Sequence, residues 1–71
     1  MTTVGTCHFV SYAAAVSYYR VYEASFPEAR RAVNRKLADG EIRLGKPETK
    51  AGERLVTIDG GRRYAIEEES L

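Results

Sequence analysis

Cysteine and histidine occur once each in this chain of 71 residues, side by side as Cys7 and His8. A single cysteine excludes an intramolecular disulfide, and a single histidine leaves a zinc site within one chain short of its ordinary ligands. No apolar run approaches the roughly 20 residues of a membrane-spanning helix. The amino-terminal stretch lacks a basic segment followed by an apolar one, so no signal peptide is expected. With a lone thiol this suits a reducing, cytoplasmic location. An excess of one charge is missing too: 11 basic residues meet 10 acidic ones, for a net charge of +1. The molecule as a whole is therefore not built to bind a polyanion by charge alone.

The length allows one domain, and residues 1–71 are read as a single small unit. A chain of this size buries only about 60% of its unfolded surface. Its core supplies roughly 3–5 kcal/mol unless a disulfide, a metal or self-association adds to it. With the first two set aside, a homo-oligomer is expected.

"TTVGTCHFV", Thr2 to Val10, is rich in β-branched residues and reads as a strand, with Gly5 a candidate bulge. Alternation puts Val4, Thr6, His8 and Val10 on one face and Thr3, Gly5, Cys7 and Phe9 on the other. Ser11 is placed to cap a helix over Tyr12 to Ala24. Tyr12, Ala15, Val16, Tyr19 and Tyr22 form one stripe of that helix; Ala14, Tyr18, Val21 and Ser25 form a second, nearly opposite. Tyr12 and Tyr19 are assigned to the core, and Tyr18 and Val21 to an interface with a partner, since little of so short a chain is left to cover them.

The next stretch, "SFPEARRAVNRKLADGEI", carries the strongest local signals. Ser25 and Glu28 match a capping box, Pro27 sits in the first turn, and Gly40 is a natural stop. Phe26, Ala29, Val33 and Leu37 make an apolar stripe. The junction between the two helices is read as Ser25 alone. "EIRL" then alternates as a short strand. "GKPETKAG", Gly45 to Gly52, is a loop, and "ERLVTID" and "RRYAIEE" form a hairpin turning at Gly60-Gly61. That register opposes Leu55 to Ile66, Thr57 to Tyr64 and Arg54 to Glu67; a turn at Asp59-Gly60 would oppose Val56 to Arg63 instead. The acidic tail is expected to fray. The order β-α-α-β-β-β implies an α+β fold, two antiparallel helices on a small, mainly antiparallel sheet. The first strand either joins that sheet or pairs across a dimer.

Arg30, Arg31 and Arg35 spread over one flank of the second helix with Asn34 among them, and Lys36 lies on the opposite shoulder. Arginine suits phosphate and asparagine a base edge or sugar hydroxyl. The plain alternative is a solvated face with arginines lying over the core edge. A helix–turn–helix needs a turn of about 3–4 residues and a winged helix a third helix, and neither is found. The tip "DGGRR" offers backbone N–H groups with Arg62 and Arg63 for a phosphate or carboxylate, or is simply a charged turn. The crowded tyrosines, with Arg20 near, could stack a base or fill a core and interface. Cys7 and His8 point to opposite faces and do not form a nucleophile–base pair; Cys7 is read as a buried structural thiol. Glu67, Glu68 and Glu69 form a charged strand end. No nucleophile, acid–base or metal set assembles, so neither an enzyme nor a cofactor is expected.

The pairing of "AVNRKLADGEIRLGKP" with "RLVTIDGGRRYAIEE" resembles short uncharacterised proteins of bacteria and phages. That resemblance implies an accessory role exerted by binding, as a regulator or inhibitor. The expected function is a non-enzymatic, homo-oligomeric binding module for an acidic ligand, such as a nucleotide, or for an acidic protein. Arg30, Arg31, Asn34, Arg35, Arg62 and Arg63 are its candidate contacts. The alternatives are a nucleic-acid-binding regulator using the basic helix and a structural protein docking through Tyr18 and Val21.

Overall fold

A computed structural model describes residues 6–69. The elements are β1 (Cys7–Phe9), α1 (Tyr12–Tyr19), α2 (Phe26–Asp39), β2 (Ile42–Leu44), β3 (Glu53–Ile58) and β4 (Arg63–Glu68), the expected order in an α+β fold. The sheet runs β2-β1-β4-β3. β1 therefore pairs within the chain, parallel to β2 and antiparallel to β4, and the sheet is mixed. Parallel neighbours need a crossover, and α1 and α2 together provide it. The strand is shorter than the Thr2–Val10 expected; Thr2 to Gly5, with the candidate bulge, lie outside the described residues. Val10 has left the ladder, though its N–H still reaches the Arg62 carbonyl at 2.9 Å.

α1 starts as its sequence asks, with the Ser11 hydroxyl accepting from the Ala14 N–H at 3.1 Å. It ends at Tyr19 rather than at Ala24, a correction to the sequence reading. Beyond the alanines come aromatic and β-branched residues, which lose side-chain freedom in a helix. Ser25 must also be extended (φ −152°, ψ 165°) to cap α2. Val21 and Tyr22 tighten the exit by bonding back to the Tyr18 and Tyr19 carbonyls, and the Arg20 guanidinium donates to the Glu23 carbonyl at 2.9 Å. The junction is thus Arg20 to Ser25 and not Ser25 alone. Junction length still speaks against a helix–turn–helix, now because the link is longer than that motif's turn of about 3–4 residues.

α2 follows its signals. Ser25 Oγ accepts from the Glu28 N–H at 3.4 Å, and the Glu28 carboxylate reaches back to the Ala24 N–H at 3.2 Å. Gly40, at φ 76°, closes the helix with paired bonds: its N–H to the Leu37 carbonyl and that of Glu41 to Lys36. Ala29 and Val33 are buried and meet Phe9, Ala15, Val16 and Ile42 in the core. Phe26, assigned to the same stripe, is instead 54% exposed. With α1 ending early, that helix stops short of covering the first turn of α2, and Phe26 is flanked by the Arg20 guanidinium at 5.3 Å.

The hairpin has the expected register, Leu55 opposite Ile66, Thr57 opposite Tyr64 and Arg54 opposite Glu67. The ladder closes at Ile58 and Arg63, so the link is Asp59 to Arg62 rather than the two glycines alone. Asp59, Gly60 and Gly61 all take positive φ there, a region open to glycine and, less readily, to aspartate. The helices lie over one side of the sheet, α1 against β1 and α2 against β2, while β3 packs on β4. The opposite face is left without a helical layer.

Candidate functional site

Arg30, Arg31 and Arg35 are exposed on α2 and make no ion pair among the described residues. Asn34 is partly committed, its side-chain carbonyl accepting from the Tyr12 hydroxyl at 2.9 Å and so tying α2 to α1. Lys36 lies over the Tyr19 ring at 5.4 Å and pairs with Glu41 at 3.6 Å.

The two arginines of the hairpin tip separate. Arg62 ends the turn and Arg63 opens β4. Arg62 is exposed, whereas Arg63 turns inward. The Arg63 guanidinium pairs with Asp59, lies 5.0 Å from the Tyr18 ring centre and brings Nη1 to 3.6 Å from Cys7 Sγ. Cys7 and Asp59 both favour its charge and push its pKa further up. Arg63 thus fastens the hairpin to the helical layer. α2 packs on α1 and β2 while the hairpin joins the sheet through β1, so the helix arginines and the tip belong to different parts of the fold.

Tyr18 and Val21 also differ. Val21 is 75% exposed. Tyr18 sits in an aromatic layer, its ring centre 5.3 Å from Phe9 and 5.2 Å from Tyr19. Burial pushes the Tyr19 phenol up, and the neighbouring Tyr22 hydroxyl does the same for Tyr18, opposed by Arg63.

The uncovered face of the sheet carries a group that no local pattern announces. Cys7, Phe9 and Ile42 point to the helices, so His8 points the other way. Strand register then aligns His8 with Arg43 on β2 and with Tyr64 on β4, and Tyr64 with Thr57 on β3. Arg43, His8, Tyr64 and Thr57 form one row across all four strands, followed by Leu55 and Ile66 in the next. Two clefts meet along this row. One, of about 560 Å³, lies along the edge strand β2, lined by His8, Arg43, Leu44 and Lys46 and by the end of α2 from Leu37 to Gly40. The other, of about 340 Å³, is bounded by Cys7, His8, Pro47, Arg63, Tyr64 and Ile66. His8 is common to both, and its Nδ1 is shielded from solvent without a hydrogen-bond partner among the described residues. The signal available in the sequence was the alternation around His8. Only the strand order says which residues stand beside it.

Chemically, the row and the adjoining Lys46 concentrate donors: a guanidinium, an ammonium, an imidazole and two hydroxyls, one of them the Tyr64 phenol. Among the described residues no group of three or more His, Cys, Asp or Glu gathers as a metal site would. No helix among them is long and apolar enough to cross a membrane. No protein family, no characterised protein and no solved structure matches the chain.

Proposed function

We propose that this protein is a small non-enzymatic binding module that takes an anionic ligand on the uncovered face of its sheet. The supporting observation is the row Arg43, His8, Tyr64 and Thr57, aligned by strand register and flanked by Lys46 in the adjoining cleft. Charge-assisted hydrogen bonds from a guanidinium are about twice as strong as neutral ones, and they are directional enough to select carboxylate or phosphate. Self-association belongs to the same proposal, since the core comprises few residues and Val21 and Tyr22 stand 75% and 69% exposed. An accessory protein of a phage or bacterium that captures such a ligand needs no catalytic group.

Titration of the isotope-labelled protein with pyrophosphate and with nucleotides, followed by amide shifts, tests this. Shifts centred on His8, Arg43 and Tyr64 are expected. No shift with any anion at low salt would remove the proposal. Sedimentation tests the oligomer: Val21→Asp is expected to lower the particle mass, and a monomer in both forms refutes self-association.

A second reading, a nucleic-acid-binding regulator, draws on the three α2 arginines that make no ion pair among the described residues. Under it, duplex DNA binding weakens steeply with salt, and replacing Arg30, Arg31 and Arg35 by alanine flattens that dependence. Absence of any DNA shift at low salt disposes of this reading.

A further inference from the structure

We infer that the anionic ligand is a free nucleotide, its phosphate held by Arg43 and Lys46 in one cleft and its base by Tyr64, Ile66 and Pro47 in the other. This rests on the anion-binding reading above and narrows it to one chemical class.

Two features decide the class. The clefts are chemically different, and they abut. Arg43 and Lys46 supply the cationic lining of the larger one. The smaller is lined by an aromatic ring, a proline and an isoleucine that is itself 45% exposed, while Arg63, which also lines it, is engaged with Asp59 and Tyr18. A simple inorganic anion would use the first and leave the second idle. A purely apolar ligand would do the reverse. His8 lines both, so a single molecule lying across it meets cations on one side and a flat apolar wall on the other. Arg43 and Tyr64 flank His8 on adjacent strands, two strand spacings apart, or roughly 9–10 Å at the backbone. The two clefts fall near or within the range of about 300–1,000 Å³ that small-molecule sites occupy.

Each group has a definite task. Arg43 offers a planar fork suited to phosphate oxygens, and Lys46 a point charge beside it. Tyr64 offers a face for stacking, which every base can use. Asp39, in the lining of the larger cleft, disfavours a ligand that fills that cleft with negative charge and favours one whose phosphate lies close to Arg43.

The test is calorimetry on the full chain with adenine and guanine nucleotides, their nucleosides, pyrophosphate and a single-stranded decamer. Nucleotides are expected to bind at least roughly tenfold more tightly than nucleoside or pyrophosphate, as each fragment uses one cleft. Arg43→Ala is expected to weaken nucleotide binding about tenfold and leave nucleoside binding unchanged. Tyr64→Leu is expected to weaken nucleotide binding roughly fivefold or more and leave pyrophosphate unchanged. Circular dichroism checks each variant's fold; if Tyr64→Leu unfolds, Ile66→Ser on the exposed wall takes its place. Pyrophosphate binding as well as the nucleotides, with Tyr64→Leu and Ile66→Ser indifferent, overturns the nucleotide assignment and leaves the anion site standing. No binding of any anion overturns both. A decamer bound at least tenfold more tightly than a mononucleotide overturns the free nucleotide in favour of a strand of nucleic acid.

Discussion

Replacing Arg63 should loosen the hairpin from the rest of the molecule, because its side chain joins three parts of the fold. The guanidinium lies 5.0 Å from the Tyr18 ring centre, which in a half-exposed setting contributes about 1 kcal/mol. Its ion pair with Asp59 involves side chains 26% and 35% exposed, and after solvent screening about 0.5 kcal/mol remains. The methylene stem adds roughly 0.5 kcal/mol of apolar cover. Arg63→Ala should therefore cost about 2 kcal/mol, and Arg63→Met, which keeps the stem, about 1.5 kcal/mol. For a domain of this length each kcal/mol lowers the midpoint by roughly 4–8 °C, so the methionine variant should melt about 6–12 °C lower. The decisive assay is a double-mutant cycle by thermal denaturation with Arg63→Met and Tyr18→Leu, in which the loss of Tyr18 packing on Phe9 cancels. A coupling of about 1 kcal/mol is expected. A value below about 0.3 kcal/mol, the level of independent sites, would refute the docking role of Arg63.

Val33 is fully buried while Phe26, on the same helix stripe, is 54% exposed. Val33→Ala should thus cost about 2–3 kcal/mol in denaturant unfolding and Phe26→Ser, which loses the Arg20 contact, about 1 kcal/mol. Equal losses would contradict the early end of α1. Gly40 holds φ 76° with open space where a side chain would stand. Gly40→Ala should cost about 1 kcal/mol from backbone strain alone, measurable as a lower midpoint with unchanged denaturant slope. The Tyr19 phenol is raised above its ordinary 10.0 by burial first, so the folded chain holds that proton longer than the unfolded one. Its contribution is complete below pH 10.0 and is lost as pH rises through the folded value. Stability should fall above that point with phenolate absorbance rising alongside unfolding, and Tyr19→Phe should reduce the slope.

What could be read in advance was local. The box at Ser25 and Glu28, the stop at Gly40 and the cap at Ser11 place donors and acceptors within a few residues of each other, so chain neighbours alone satisfy them. The hairpin register was legible for a similar reason. Its strands are joined by a short link, and opposing charges and apolar residues agree in only one alignment. The end of α1 was not legible, because the apolar spacing continues through Tyr22 while the backbone has already turned to meet the extended Ser25. Nor was Arg63 separable from Arg62 by composition, since its fate depends on Tyr18, Asp59 and Cys7 arriving beside it.

The candidate site shows the same division most sharply. By itself the sequence determined that His8 opposes Phe9 across a strand, because alternation is a property of the extended chain. It also determined that Thr57 and Tyr64 face each other. Only the tertiary structure decided that β1 lies between β2 and β4, and hence that Arg43, His8, Tyr64 and Thr57 stand in one row on the side without helices. The helices' choice of face made that decision: burying Phe9, Ile42 and Val33 in a single core leaves the reverse side of the sheet without a helical layer.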